Sequence, residues 1–380
     1  KGAMHVHAGL VFTIRGYNAV LASSDTDEKM CFLPLCHIVE RMGGEYNSLY
    51  TGARLNFVEN PDTVPENVRE IAPTQLAAVP RVWEKFYSAI TISIKESTLI
   101  QQLAYSWAIS VGRTVTEQVL AGQPVAWHLK LRFIAARLLV LNNIRKLIGI
   151  NRCRFIASGA APISPELIRW YMALGVPMFE AWGMTETCGL STANSSVGFK
   201  PGTIGRPADY NEVRIDADTS EIRVRGKNVF RGYLNQPEKT AETIDVDGWL
   251  HTGDIGELRD GFLYITDRKR DFIKLMGGDM ISPAKIESLL MAEPEIQQAL
   301  VAGEGKAGLV ALIVPAEGQE AAVPAAVARV NARLAIIERI RRHGVTTPFT
   351  IENGLLTPTM KLKRRAALQE RAAEVERLGD

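Results

Sequence analysis

Hydrophobic and polar positions change their spacing along this chain, and the changes divide it into stretches of different structure. From Trp83 to about Gly149, apolar residues recur every three or four positions with lysine and arginine between them, which predicts core-packing helices. From Lys200 to Thr266, short apolar–polar alternations are broken by Gly, Asp and Asn, which predicts strands and turns. From Ile286 to Arg342, helical and strand-like runs alternate and predict a C-terminal α+β domain.

Short apolar runs in the first half of the chain predict buried strands of an α/β domain. These runs lie at residues 55–58, 77–83, 153–157 and 175–179, beside glycine, proline or small residues. Ser164-Pro165-Glu166 is a typical helix start after the third of these runs. We therefore expect strands that alternate with helices before residue 200.

Composition narrows the class of protein. The 380 residues are 46% hydrophobic and 23% charged, as in globular proteins with two or more domains. A net charge of +2 gives no indication of nucleic-acid binding. The four cysteines show neither zinc-site spacing nor a dense disulfide pattern, which indicates reduced and mostly buried thiols and favours a cytoplasmic location. No apolar run approaches the length of a membrane span.

The residues with the clearest chemical character lie at 179–189, in the sequence Phe-Glu-Ala-Trp-Gly-Met-Thr-Glu-Thr-Cys-Gly. An aromatic ring, a glycine, hydroxyls and a carboxylate in this order suit a nucleotide: the ring for adenine, the hydroxyls for phosphate oxygens. The carboxylate is a hard oxygen ligand of the kind that Mg²⁺ prefers. A buried strand followed by an ordinary polar turn would also explain the segment when it is considered alone.

Five segments, in order, resemble the adenylate-forming (AMP-binding) superfamily of acyl-CoA synthetases and luciferases. They span nearly the whole chain and are Ser158-Gly159-Ala160-Ala161-Pro162, Trp182-Gly183-Met184-Thr185-Glu186, Gly248-Trp249-Leu250-His251-Thr252-Gly253-Asp254, Asp267-Arg268-Lys269-Arg270-Asp271-Phe272-Ile273-Lys274 and Leu356-Thr357-Pro358-Thr359-Met360-Lys361-Leu362-Lys363.

The resemblance implies a set of nucleotide-binding and catalytic residues. Those implied to bind ATP, AMP or coenzyme A are Gly159, Ala160, Ala161, Glu180, Ala181, Trp182, Gly183, Met184, Thr185, Asp254, Arg268, Gly277 and Gly278. The family places Asp254 on the ribose hydroxyls. It also implies that Thr185 binds the α-phosphate, Glu186 holds Mg²⁺, Lys361 serves the adenylation step, Lys274 serves the second step, and His37 lies at the acyl site.

The resemblance also implies a domain plan. Residues 1–199 would belong to a large α/β domain, 200–267 to its small β-barrel-like subdomain, and 268–380 to a mobile α+β domain joined by a hinge at Arg270. Residues 1–7 resemble the end of the family's phosphate-binding loop, so we expect the Ser/Thr/Gly-rich part of that loop and the start of the large domain to lie upstream.

The function implied is activation of a fatty acid by ATP to acyl-AMP, followed by thioester formation with coenzyme A. His37 and Ser158 are 121 residues apart, and the inserted helical segment between them resembles the long-chain branch. Its apolar and basic residues also suit peripheral contact with a membrane. Two alternatives stay open at this point: a ligase that stops at the adenylate or delivers the acyl group to a carrier-protein thiol, and a truncated remnant that binds nucleotide without catalysis. The sequence does not indicate an oligomeric state.

Overall fold

The structure is a computed structural model that describes residues 1–60, 63–195, 198–268, 271–357 and 361–379, apart from the side chain of Asp267. The chain divides into two compact units. The first unit consists of Lys1–Thr252 and Gly256–Ile265, and the second of Gly253–Ile255 and Thr266–Asp380.

The α-helices occupy the stretches predicted to be helical and also others, such as residues 7–21 and 237–243. In chain order they are α1 (His7–Leu21), α2 (Asn47–Thr51), α3 (Val64–Ile71), α4 (Pro80–Lys95), α5 (Leu99–Leu120), α6 (Trp127–Ala136), α7 (Asn142–Ile148), α8 (Pro165–Ala173), α9 (Pro237–Thr243), α10 (Pro283–Met291), α11 (Val323–Ala332), α12 (Arg364–Glu370) and α13 (Ala372–Gly379). π-helical turns lie at Glu40–Tyr46 and Arg137–Leu141, and short 3₁₀ turns at Thr185–Thr187, Glu320–Ala322 and Ile336–Glu338.

The β-strands are short in both units. In chain order they are β1 (Ala3–Met4), β2 (Glu28–Cys31), β3 (Arg54–Phe57), β4 (Gln75–Ala78), β5 (Phe155–Gly159), β6 (Met178–Trp182), β7 (Thr192–Ala193), β8 (Arg206–Pro207), β9 (Asn211–Ile215), β10 (Glu221–Gly226), β11 (Gly232–Tyr233), β12 (Leu250–Arg259), β13 (Phe262–Arg268), β14 (Ile273–Lys274), β15 (Met280–Ile281), β16 (Ile296–Ala302), β17 (Leu309–Pro315) and β18 (Ile340–Val345).

A five-stranded sheet in the order β4-β5-β6-β7-β8 organises the first unit. Strands β4, β5 and β6 are parallel, and β7 and β8 are antiparallel to their neighbours. Helices α4 and α8 carry a proline in their first turn, where the missing N–H costs nothing. Strands β2 and β3 form a separate parallel pair. These features confirm the α/β character expected before residue 200.

The β-rich stretch forms an open sheet. Strands β9, β10, β12 and β13 lie in the order β13-β12-β10-β9, and β9 and β13 each pair with one strand within the described part of the chain. The barrel-like shape expected from the sequence is therefore only half of a barrel. Residues of this sheet share an apolar cluster with Trp182 and Phe230; its other buried members are Ile222, Val224, Tyr233, Leu250 and Leu263.

The second unit is built on the three-stranded sheet β16-β17-β18, in which β16 and β17 are antiparallel and β17 and β18 parallel. Strand β17 is apolar at successive positions because both of its faces are covered. Leu309, Ala311 and Ile313 pack in one core with α10 and α11. Leu312 and Val314 pack in a second core that includes Phe349 and residues of α12 and α13.

The predicted helical stretch before residue 150 is confirmed as α4 to α7. Helix α5 begins with a capping box, in which the Thr98 amide donates to Gln101 Oε1 (3.0 Å) and the Gln101 amide to Thr98 Oγ1 (3.4 Å). Helix α7 is followed by Gly149, whose φ of +94° and closeness to the Val68 carbonyl favour glycine. Among the described helices, none is both long and apolar enough to cross a bilayer.

A nearly buried ion pair anchors α12 to α10 and β16. The Arg364 guanidinium contacts the Glu287 carboxylate and donates through Nη1 to the Val301 carbonyl (2.9 Å). Glu287 Oε1 also accepts from the Val301 amide (2.7 Å). Because Arg364 lies three residues after Lys361, this pair fixes the point at which the Lys361 segment rejoins the core.

We expect Arg364→Leu to destabilise this anchor, because the Glu287 carboxylate would stay buried without its cation. Such a loss costs about 3 kcal/mol, equivalent to roughly 100-fold faster amide exchange in peptides from α10, β16 and α12. Hydrogen-exchange mass spectrometry measures it. The matched control is Arg365→Leu, since Arg365 is exposed. Equal exchange in the two variants would contradict this role of the pair.

Candidate active site

The parallel register of β5 and β6 brings two of the sequence motifs to one edge of the sheet. Ser158 is paired with Glu180 and Gly159 with Ala181, so residues 160–162 and 183–186 leave the sheet side by side. The carboxyl edge of parallel strands is where ligands bind in open α/β sheets. A Cβ on Gly159 would lie 3.0 Å from the Ala181 carbonyl oxygen, so a small residue keeps these strands close.

Ala160 departs from ordinary backbone geometry. Its φ is +68°, in the left-handed region that costs an L-residue roughly 1 kcal/mol. The strain turns the chain sharply at the end of β5, and the small side chain leaves the edge open. Gly159, Ala160 and Ala161 are thus suited to close approach by a flat ligand, as the sequence predicts, and their adenine-binding role stays a prediction.

The loop after β6 is closed by its own backbone. The Ser191 amide donates to the Trp182 carbonyl (2.8 Å), and the Gly189 amide donates to that of Met184 (3.0 Å). A Cβ on Gly183 would lie 1.8 Å from the Gly189 carbonyl oxygen, so only glycine fits this crossing. The exposed Thr185 and half-buried Glu186 are therefore presented on a rigid 3₁₀ turn.

Glu186 is held by the strand that carries Tyr233. Tyr233 Oη donates to Glu186 Oε1 (2.5 Å), and the Phe230 amide donates to the Glu186 carbonyl (2.8 Å). Strand β11 pairs in turn with β1, so that Ala3 faces Tyr233. Lys1 Nζ lies 4.6 Å from the centre of the Tyr233 ring. The residues that resemble the end of a phosphate-binding loop therefore lie beside the predicted metal ligand.

This arrangement fits a magnesium ion. Mg²⁺ is commonly bound by one or two carboxylates together with substrate phosphates and water. Glu186 offers one such carboxylate on a fixed turn, and Tyr233 binds one of its oxygens. The described residues contain no group of three or more His, Cys, Asp or Glu side chains that could hold a metal by themselves. An ion here would rely on substrate oxygens.

Glu180 is a buried carboxyl group at the same edge. Burial raises its pKa to about 8, against the opposing effect of a hydrogen bond from the Gly202 amide to Oε2 (2.9 Å). The Oγ of its register neighbour Ser158 is buried and has no hydrogen-bond partner among the described residues. At neutral pH, Glu180 therefore carries a proton and presents a neutral polar group.

Trp182 has a different surrounding from the one suggested by its place in the motif. Its indole is a member of the apolar cluster of the half-barrel, and only 8% of the residue is exposed. The ring thus packs β6 against β10 and β12 (Ile222, Val224 and Leu250). This position explains its aromatic character by core packing, and contact with a nucleotide base stays a prediction.

His37 lies on a short turn that precedes the first π-helical turn. Its amide donates to the Pro34 carbonyl (2.7 Å), and its carbonyl accepts from the Glu40 and Arg41 amides. The buried Glu40 carboxylate accepts from the Leu33 amide (3.0 Å) and fixes the loop before it. His37 is half-buried, and its predicted place at the acyl site stays a prediction.

The second unit contains the other predicted residues. Arg268 Nε donates to Asp254 Oδ1 (2.9 Å), which joins the two groups that the resemblance assigns to the ribose. Arg270, the predicted hinge residue, lies outside the described residues. Asp254 is buried, whereas Arg268 is partly exposed, so the carboxylate is held in place and the guanidinium can reach a ligand.

Lys274 is at the start of a tight hairpin with Gly277 and Gly278 at its tip. Strands β14 and β15 pair Lys274 with Met280, and the Gly278 amide donates to the Leu275 carbonyl (2.9 Å). Gly278 has a φ of +90°, which favours glycine. Lys274 and both glycines are exposed, so a slender ligand could approach the backbone at this tip.

Lys361 is exposed on a segment fixed at both ends. Its amide donates to Thr357 Oγ1 (3.0 Å), and its carbonyl accepts from the Thr357 amide (2.8 Å). Leu356 and Leu362 form an antiparallel bridge, and the Lys363 amide donates to the Leu355 carbonyl. Residues 355–357 and 361–363 are thus paired with each other, which holds the Lys361 backbone in place.

Sequence reasoning missed Tyr233 and the pair of Glu287 and Arg364. Tyr233 follows a glycine in an unremarkable strand pattern, and its partner Glu186 is 47 positions away. Arg364 is one of several cations near the end of the chain, and its sequence context is that of a solvated residue at the start of a helix. Neither partnership has a spacing that a single sequence could reveal.

Comparison with known proteins decides the family. The model of the AMP-binding enzyme family matches residues 1–234, and that of the AMP-binding enzyme C-terminal domain matches residues 270–379. The chain belongs to the AMP-binding enzymes. The resemblance drawn from the five motifs is thereby confirmed.

Relatives within this family include fatty-acid–CoA ligases. The chain is 34% identical to fadD11 of Mycobacterium tuberculosis, over all of this chain and 71% of that protein. It is 33% identical to the long-chain-fatty-acid–CoA ligase ACSBG2 of Gallus gallus, over 97% of this chain and 55% of that protein. The chain thus spans between about half and three quarters of the curated relatives that it matches.

Solved structures share the fold. The adenylation domain of a carboxylate reductase from Mycobacterium chelonae matches with a TM-score of 0.77 and 24% identity, over all of this chain and 57% of that one. The A-PCP didomain of a carboxylic acid reductase from Segniliparus rugosus, solved with AMP, matches with a TM-score of 0.74 and 23% identity, over 100% and 52% of the two chains. At these identities the likeness concerns the fold of an adenylation domain.

The raised pKa of Glu180 predicts a pH-dependent stability. Between about pH 4.5 and 8 the folded state holds a proton that the unfolded state has released, so the free energy of unfolding falls as the pH rises, by at most about 1.4 kcal/mol per unit. Glu180→Gln should remove this contribution. All six tryptophans lie in the first unit, so tryptophan fluorescence during urea unfolding at pH 5.5 and 7.5 measures it.

The matched control is Glu212→Gln. Glu212 is exposed, and its hydrogen bond with Arg225 lowers its pKa, so its titration lies below this window. A Glu180→Gln variant with the same loss of stability between the two pH values as the parent protein would show that Glu180 is ionised in the folded state.

Proposed function

We propose that the chain activates a long-chain fatty acid with ATP and transfers the acyl group to coenzyme A. The carboxylate oxygen attacks the α-phosphorus of ATP, the bond to pyrophosphate breaks, and acyl-AMP forms. The thiol of coenzyme A then attacks the acyl carbon and loses its proton, and AMP leaves. The observation that carries the proposal is the joint presentation of Thr185, Glu186 and residues 158–161 at one edge of the parallel sheet of an AMP-binding enzyme.

The first step brings two anions together, so its difficulty is electrostatic. Catalysis should then consist of positioning and of cations directed at the developing charge. Glu186 would hold Mg²⁺, the hydroxyl of Thr185 would donate to the α-phosphate, and Lys361 would bridge carboxylate and phosphate oxygens. A Mg²⁺ ion, when bound, supplies positive charge that neutralises the phosphate oxygens.

The two steps would require different faces of the C-terminal domain. We infer the domain division 1–199, 200–267 and 268–380, with rotation about the segment near Arg270. Lys361 would serve the adenylate-forming step, and Lys274 with Gly277 and Gly278 would serve the thioester-forming step. The exposed hairpin tip and the separate, braced Lys361 segment support this assignment.

Within the first unit, we assign the remaining ligand-binding roles mainly to residues at the carboxyl edge of the sheet. Ala160 and Ala161 would lie against adenine, and Glu180 and Ala181 would support the same side from β6. His37 would line the path of the acyl group. In the second unit, Asp254 would accept from both ribose hydroxyls, and Arg268, already hydrogen-bonded to it, would fix its orientation.

Product analysis tests the proposed reaction. The chain is incubated with ATP, Mg²⁺ and fatty acids of different chain length, with and without coenzyme A, and the products are separated by mass spectrometry. We expect acyl-AMP without coenzyme A and acyl-CoA with it. Acyl-AMP under both conditions would favour a ligase that stops at the adenylate or needs a carrier-protein thiol. The absence of both products, together with measurable AMP binding, would favour a remnant that only binds nucleotide.

The role of Lys361 is tested by separating the half-reactions. Lys361→Ala should lower acyl-AMP formation by about 100-fold or more, because a charge-stabilising group of the transition state is lost. Thioester formation from supplied acyl-AMP should be kept. Lys363→Ala is the matched control, since it removes the other exposed lysine of the same segment. Equal loss in both half-reactions, or an equal effect of Lys363→Ala, would remove this role.

A further inference from the structure

One helical stretch in the first unit carries large apolar side chains on its solvent-exposed face, where polar residues are usual. Helix α6, the π-helical turn Arg137–Leu141 and α7 form a continuous run, and its inner residues Leu129, Ala136 and Leu141 are buried. Four large apolar residues line the opposite face at helical spacing: Trp127, Leu131, Ile134 and Leu138, with 74%, 56%, 52% and 68% of each residue exposed. We call these four residues the outer stripe.

Large apolar side chains that are mostly exposed and aligned on one face need a cause. Single exposed hydrophobic residues are ordinary, whereas a continuous stripe marks a surface that contacts a protein or a membrane. Trp127 stands at the start of α6, and tryptophan is enriched at the boundary between lipid and water. The core-packing explanation that the sequence suggested for Leu131 and Leu138 is wrong, because both side chains point away from the core.

The charged residues around the outer stripe indicate what kind of surface it binds. Residues 118–165 contain seven Lys and Arg and no Asp or Glu, so this segment carries +7 in a chain of net charge +2. Arg152 and Arg154 are paired with Glu28 and Asp27. The exposed Lys130, Arg132 and Lys146 form no ion pair with any described residue. They lie on the same helical run as the stripe and leave its positive charge uncompensated.

We propose that the outer stripe and its flanking cations bind the surface of an anionic lipid bilayer. An amphipathic helix with an apolar face that carries tryptophan and leucine, and with Lys and Arg beside it, lies in the plane of the membrane interface. Each Lys or Arg near an anionic surface contributes about 1 kcal/mol, and the apolar side chains contribute by burial among acyl chains. A protein surface that bound here would have to supply an acidic rim around an apolar groove.

This inference is independent of the proposed enzymatic activity, because lipid binding is measured without ATP, fatty acid or coenzyme A. The chain is mixed with vesicles of phosphatidylcholine alone, or with vesicles that also contain about 30% phosphatidylserine as the anionic lipid. The bound fraction of the chain is measured by sedimentation. We expect binding to the anionic vesicles, weakened by salt, and at least about tenfold weaker binding to the neutral ones.

Two double variants and a matched control test the surface. Lys130→Gln with Arg132→Gln should weaken binding to anionic vesicles about 30-fold, from the loss of two cations. The control, Arg341→Gln with Arg342→Gln, removes the same charge from exposed positions of β18 and should bind like the parent chain. Leu131→Ser with Leu138→Ser should weaken binding to vesicles of either composition. Circular dichroism verifies that each variant is folded.

Depth of insertion gives a second readout. Vesicles with brominated acyl chains should quench part of the tryptophan fluorescence. In a Trp107→Phe background, Trp127→Phe should abolish this quenching, because Trp107 is 38% exposed and Trp83, Trp170, Trp182 and Trp249 are buried in the protein.

Several outcomes would overturn the proposal. They are no binding to anionic vesicles, equal binding to both vesicle types, or equal effects of the Lys130/Arg132 and Arg341/Arg342 variants. Self-association that Leu131→Ser with Leu138→Ser abolishes, without any lipid binding, would instead assign the stripe to a second copy of the chain.

Discussion

The close approach of β5 and β6 is the constraint on which the candidate site depends. Parallel pairing sends both strands out of the sheet at the same edge, and Gly159 keeps them within contact of each other's backbone. The crossing of Gly183 over the Gly189 carbonyl then folds the following loop back on itself. Without these two glycines, Thr185 and Glu186 would not be held beside residues 158–161.

Two carboxyl groups six residues apart acquire different properties from this arrangement. Glu180 is buried between strands, and burial raises its pKa to about 8. Glu186 stands on a half-exposed turn, where Tyr233 binds one oxygen and leaves the carboxylate accessible to an ion. The same edge of the sheet therefore carries one buried and one accessible carboxyl group.

The half-barrel shows how one apolar cluster joins separate motifs. Trp182 from the nucleotide motif, Tyr233 from the strand that holds Glu186, and Leu250 from the Gly-Trp-Leu-His-Thr-Gly-Asp segment share a core. Their side chains therefore position three motifs that lie far apart in sequence.

The sequence alone determined the family, the α/β and α+β character and the order of the motifs, because each of these depends on local residue patterns. It also indicated strands at 153–157 and 175–179, which overlap β5 and β6, and helices from Trp83 to about Gly149, since periodicity is a local property. Only the tertiary structure decided that Trp182 is a core residue, that Tyr233 holds Glu186, and that the 127–138 stripe faces outward. A helical period shows which residues share a face, but which face meets the core depends on contacts between residues distant in the chain.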